Sequence, residues 1–162
     1  SHTSLLDSLT KAYHLDEKIH FPPGHDEEMT AVEASVGMTQ LKKYETIIRQ
    51  RHENAHYYFQ ALQGTQKLEL PPSVEGSTYS HFTIRVPDRA VILQSFLRRG
   101  IELGELIQYS LPHMNSYRAY VSDLSKFPNS LRCSVSAVNL PIYRKLPASS
   151  LDELARLVTS IG

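Results

Sequence analysis

The chain has 162 residues, 41% of them hydrophobic and 21% charged, enough to bury the core of one domain, with or without an arm. Seventeen basic residues balance seventeen acidic ones, which leaves no net field to favour nucleic acid or an anionic membrane. A single cysteine, Cys133, excludes an internal disulfide framework, and no apolar run approaches the roughly 20 residues of a membrane span.

The N-terminus has no signal-peptide h-region, so the expected setting is cytoplasmic, with neither nucleic acid nor membrane as partner. Residues 3 to 19 place Leu5, Leu6, Leu9, Ala12, Tyr13, Leu15 and Ile19 as in a short amphipathic helix. Phe21-Pro22-Pro23-Gly24 breaks it, because proline removes backbone donors and glycine opens the turn. Residues 1–24 read as an arm, or as the remnant of a preceding domain. From Met29 to about Leu62 there is no proline and one glycine, Gly37. Ala34, Met38, Leu41, Ile48, Ala55, Phe59 and Leu62 recur at three-, four- and seven-residue spacing, with Lys42, Lys43, Glu45, Arg49 and Arg51 mostly between them. That pattern predicts one long helix with one buried stripe. Such a helix spans roughly 50 Å, more than the width of a small domain, so it is expected to brace a second body. Asp26 or Thr30 is its expected N-cap, Glu27 and Glu28 suit its positive end, and Gly64 is its expected stop.

Pro71-Pro72 and Gly76-Ser77 bound a loop, and the β-branched and aromatic run from Thr78 to Val86 predicts a strand. Pro87-Asp88 opens a helix through Val91, Ile92, Phe96 and Leu97, stopped by Gly100. Ile101 to Ile107 reads as a shorter strand and residues 108–129 as loop. Asn129 or Ser130 is expected to start a helix through Leu131, Val135 and Val138, and Asn139 to Tyr143 to form a short edge strand, where Pro141 is tolerated. Ser149 or Ser150 with Glu153 forms a capping-box pattern for a last helix, Leu151 to Ile161. The fold class that follows is α/β, or an α+β-like small domain. A long N-terminal helix precedes a small, mainly antiparallel sheet of about three strands with helices on one face. The expected division is an arm over 1–24, a connecting helix over 25–64 and a small C-terminal domain over 65–162.

His52-Glu53-Asn54-Ala55-His56 is a literal H-E-x-x-H, whose imidazoles share a helix face and could hold zinc with the glutamate as general base. Its neighbours Arg49, Arg51, Asn54 and Tyr57 are expected to make a wet, basic face, and a third ligand would have to come from Glu69, Glu75 or His81. Two solvated histidines are the simpler reading, and no metal site is expected. Tyr109, His113, Tyr117, Arg118 and Tyr120 gather in one long loop, an arrangement that lines ligand sites or merely covers a sheet. Cys133 reads as a small core filler, and no GxGxxG, P-loop or GxSxG elbow is present.

Met29-Thr30, Ala34, Gly37, Gln40-Leu41, Arg51, Asn54-Ala55 and Tyr58 are similar to the pattern of DegT/StrS-type sugar aminotransferases. The resemblance continues in order through Leu70-Pro71-Pro72, His81 to Asp88, Arg99-Gly100-Ile101, Leu103-Gly104, Asn139-Leu140-Pro141 and Leu151 to Leu154, covering roughly residues 25–162. It also accounts for the H-E-x-x-H as part of an Arg-x-x-Asn-Ala run, Arg51 to Ala55.

The resemblance implies a fold-type I enzyme that uses pyridoxal phosphate (PLP) to move an amino group from an amino acid to a nucleotide-linked keto-sugar. In that family a lysine of the large domain carries PLP as a Schiff base, in a Ser-containing segment before a glycine-rich turn. None of Lys11, Lys18, Lys42, Lys43, Lys67, Lys126 or Lys145 has that context. The expectation is therefore the small C-terminal domain without its large PLP-binding domain, inert and cofactor-free alone, and prone to self-association as a homo-oligomer. The family's Asn-x-Arg, whose asparagine helps hold the cofactor phosphate, is replaced by carboxylates at Asp26 and Glu28. His81, Arg85, Gln108, Tyr109 and His113 are the expected substrate-binding residues. Two alternatives stand beside this reading: a non-catalytic dimerisation or binding module of the same descent and, remotely, a zinc peptidase acting through His52, Glu53 and His56.

Overall fold

The structure, a computed structural model, describes residues 27–105 and 110–161. The expected arm, the Asp26 cap, and Gln108 and Tyr109 lie outside the described residues. Thr30 is the observed cap. It is extended (φ −69, ψ 159), its hydroxyl accepts the Glu33 N–H, and the Glu33 carboxylate accepts the Thr30 N–H at 2.8 Å. This reciprocal pair satisfies two orphan donors and starts α1 (Ala31–Leu41). The expected long helix is present as two consecutive helices, because Lys42 and Lys43 form a turn before α2 (Tyr44–Leu62). Lys43, at φ −103 and ψ −1, has left helical values for the bridge region.

The two helices differ in what they bury. No residue of α1 is buried, and Val32, Met38 and Leu41 are 74%, 66% and 70% exposed. In α2 the stripe goes inside: Ala55, Tyr58 and Leu62 are buried in the core with Asn54 beside them, and Phe59 packs against it. Gly64, at φ +77, follows the end of α2.

The strand expected from Thr78 is shorter than its composition suggested, since Tyr79 takes φ +44, a left-handed value that no strand includes. β1 (Phe82–Arg85) alternates buried and half-buried residues and pairs antiparallel with β2 (Ala137–Leu140). Phe82 faces Leu140 and Ile84 faces Val138 on one side of the sheet; Thr83 faces Asn139 and Arg85 faces Ala137 on the other. Among the described residues the sheet has two strands, rather than three, flanked by single antiparallel bridges. Glu69 exchanges backbone hydrogen bonds with Arg85 at 3.0 and 2.9 Å, and Gly104 with Asn139 at 3.1 and 2.8 Å. Within the expected strand 101–107, only this Gly104 bridge is made by the described residues. A Cβ on Gly104 would lie 3.2 Å from the Asn139 Cβ, so glycine permits the close approach.

Asp88 caps α3 (Arg89–Leu97) by accepting the Val91 N–H at 3.0 Å. The helix delivers Ile92 and Phe96 to the core. α4 (Pro128–Ser136) ends where β2 begins, so Val138, expected in the helix, lies in the strand, and the strand expected over 139–143 runs from Ala137 to Leu140. α5 (Ala148–Ile161) adds Leu151, Leu154, Ala155 and Val158 to one continuous cluster with α2, both strands, Val86, Leu103 and Ile142. Each large apolar side chain so buried contributes roughly 1.5–3 kcal/mol. Two compact units divide the described residues: 29–105 with 135–161, which hold this core, and a second that contains 110–134. In the second unit, three 3₁₀ turns occupy Leu111–His113, Asn115–Tyr120 and Leu124–Lys126.

Candidate functional site

The motif residues of α2 have a structural task. Tyr58, fully buried, donates its hydroxyl to the Pro141 carbonyl at 2.8 Å, and the buried Asn54 amide donates to the Tyr143 carbonyl at 3.3 Å. Pro141 cannot extend β2 as a donor, and these two bonds fix the chain where it leaves the sheet. Burial pushes the Tyr58 phenol well above its ordinary range, so its proton stays on the donor.

A groove of about 320 Å³ opens beside this segment. His81, Glu102, Asn139 and Tyr143 line it together with Arg51 of α2. His81 is exposed, with its Nδ1 3.2 Å from the Ser80 hydroxyl. Arg85, on the outer face of the sheet, forms an ion pair with Glu69 across the bridge that joins their backbones. The two expected substrate residues described in this unit thus have different fates: His81 borders open space, whereas Arg85 is already engaged by a carboxylate.

A second cleft, of about 620 Å³, is lined by Tyr57 and Ala61 of α2 and by Asp152, Arg156 and Thr159 of α5. The Tyr57 hydroxyl donates to Asp152, and chiefly that bond raises the phenol above its ordinary value. Nothing in the sequence pairs positions 95 residues apart, so this contact was not foreseen.

In the other unit, His113 Nδ1 lies 2.7 Å from the hydroxyl of Ser110, which is itself 2.8 Å from the Ser130 hydroxyl. Ser110 is buried, and the His113 N–H donates to the Ser110 carbonyl at 2.8 Å, so ring and turn are fixed by one residue. The Ser-x-x-His spacing could have announced it. Tyr120 of the expected loop cluster is 77% exposed.

His52 and His56 are both exposed. The His52 ring meets Tyr79 edge-on at 5.1 Å, His56 Nε2 is 2.9 Å from the Gln60 amide, and Glu53 accepts from Gln50 at 2.9 Å. Among the described residues no three His, Cys, Asp or Glu side chains gather as a metal site. A lysine that carries PLP must be enclosed, yet Lys42, Lys43, Lys67, Lys126 and Lys145 are all exposed, as is Glu28. The described residues do not fit covalent attachment of the cofactor.

Solved structures share this fold. The aminotransferase TlmJ from Streptoalloteichus hindustanus is 25% identical, with a TM-score of 0.69 over 80% of this chain and 35% of its own. Spr1654 from Streptococcus pneumoniae, described as a sugar aminotransferase and solved in a PLP form, is 22% identical, with a TM-score of 0.73 over 83% of this chain and 36% of its own. Helicobacter pylori PseC, an aminotransferase of pseudoaminic acid biosynthesis, is 19% identical, with a TM-score of 0.69 over 88% of this chain and 40% of its own. The chain therefore spans well under half the length of the solved chains it matches. A family model matches residues 5–159, and the chain belongs to the DegT/DnrJ/EryC1/StrS aminotransferase family, whose cofactor is PLP.

Proposed function

We propose that residues 25–162 act as the small C-terminal domain of a PLP-dependent aminotransferase that moves an amino group onto a nucleotide-linked keto-sugar. The observation that carries this reading is the family match over residues 5–159. PLP supplies the electron sink for the amino transfer when it is bound. The part of this span is to brace and to line: α1 and α2 hold the body that carries the cofactor lysine, and His81 and His113 face the substrate. Gln108 and Tyr109 are likewise proposed to bind substrate. Arg85 orders the sheet through Glu69 and contributes to substrate binding only indirectly. The protein works in the cytoplasm as a homo-oligomer, and this span alone has no transaminase activity.

The full-length protein, loaded with PLP, should show a visible Schiff-base band that an amino donor bleaches, and this chain should show neither. A full-length protein that binds no PLP would refute the enzyme reading. It would leave the non-catalytic module, which the exposed carboxylate of Glu28 at a family phosphate position favours.

A further inference from the structure

Arg51, in the core-bearing unit, has no anionic counterpart among the described residues. Arg51 lies on α2, one turn before Asn54, where the helix meets the segment after β2. Its side chain is half-buried, and its Nε is shut away from solvent with no hydrogen-bond partner. No carboxylate among the described residues stands within ion-pair distance of it, the pairs formed being Arg85–Glu69 and Arg89–Glu105. Shielded N–H groups are satisfied as a rule, and a guanidinium that makes no bond at all presents a planar fork of donors to whatever enters.

What it faces is the groove beside Pro141. Leu140, Pro141 and Ile142 supply apolar lining, and His81, whose Nδ1 is engaged by Ser80, has no partner for Nε2 among the described residues. At about 320 Å³ the groove admits a small group rather than a whole nucleotide sugar. Glu102 also borders it, exposed and, among the described residues, without a hydrogen bond or ion pair. That carboxylate offsets the Arg51 charge: a second negative charge on the ligand doubles both the attraction to the guanidinium and the repulsion by Glu102, so the pair leaves little electrostatic gain to repay the greater desolvation of a dianion.

We propose that the Arg51 groove is a carboxylate-binding site, with the guanidinium as its anchor, His81 Nε2 as a second donor and Glu102 as the group that selects monoanions. The site shares His81 with the residues proposed to face the substrate but does not depend on the cofactor chemistry. The same chemistry is offered by a free small carboxylate and by an Asp or Glu side chain from elsewhere in the protein.

The test is a titration of the labelled chain with sodium acetate and with inorganic phosphate at constant ionic strength, followed through the Arg51 Nε–Hε and His81 ring signals. Acetate should shift both saturably and bind several-fold more tightly than phosphate. Glu102→Gln should strengthen phosphate binding several-fold and narrow that difference. Arg51→Gln should abolish the His81 response, and Arg51→Lys, which keeps the charge but not the fork, should weaken it. Acetate that binds this chain but not the full-length protein assigns the site to an internal carboxylate. No saturable acetate response in the wild-type chain, or an Arg51→Gln chain that binds acetate as tightly, overturns the proposal.

Discussion

Tyr58→Phe isolates the bond that ties α2 to the end of the sheet. The substitution keeps the ring, and with it the tilted contact with Phe82 at 5.1 Å, and removes only the hydroxyl donating to Pro141 at 2.8 Å. A carbonyl left without its donor in a fully dry core would cost about 1–3 kcal/mol. Pro141 is half-buried, so water can reach part of that carbonyl, and the Asn54 bond to Tyr143 still holds the segment. The expected loss is therefore at the low end, about 1–1.5 kcal/mol, or roughly 3–5 °C in Tm for a chain of this size. Thermal and urea unfolding of wild type, Tyr58→Phe and Tyr57→Phe measure it. Tyr57 donates to Asp152 at an exposed position and should lose less. A Tyr58→Phe protein within about 0.3 kcal/mol of wild type, or a larger loss for Tyr57→Phe, would refute the idea that this hydroxyl fixes the strand exit.

Alkaline pH should unfold the chain through the same residue. The Tyr58 pKa is raised in the folded state, so its contribution is complete below the ordinary tyrosine value and is lost as pH climbs from about 10 upward; Tyr58→Phe should flatten that decline in denaturation midpoints. At the other end, hydrogen bonds from Thr30 hold the Glu33 carboxyl below its usual value, so acidification should fray α1. Thr30→Ala should do so at neutral pH, costing α1 about 1 kcal/mol while leaving the core melting temperature nearly unchanged. Amide exchange confined to residues 31–41 would show it, and equal loss of protection in α2 would contradict it. The exposed apolar side chains of α1 should drive self-association, which Leu41→Glu weakens in light scattering. A wild-type monomer at high concentration would oppose that expectation.

Much of the fold was written locally. Asp88 before Val91, Gly100 at φ +75, and the alternation of Phe82, Ile84 and Val86 are short-range signals, and each matches the element observed. The break at Lys42-Lys43 was hidden because lysine is a good helix former and neither glycine nor proline marks it. The division of the stripe was hidden too: Met38 and Leu41 follow the same helical periodicity as Ala55 and Leu62, and periodicity cannot say which half finds a core. The two-residue delay in starting β2 followed from reading Val138 as helical, when the sheet register opposite Ile84 decides it. His81, expected inside a strand, lies just before β1, and His113 lies in a 3₁₀ turn of the segment read as loop. The pairing of Arg85 with Glu69, sixteen residues away, depends on a backbone bridge that no local pattern announces.

Whether any lysine of this span holds PLP is tested directly by borohydride trapping followed by peptide mapping, on this chain and on the full-length protein. The expected result is one saturable pyridoxyl-lysine in the full-length protein outside residues 25–162, with only weak, unsaturable labelling of surface lysines such as Lys42, Lys67 and Lys145 in this chain. A single saturable label on any lysine of residues 25–162 would contradict it.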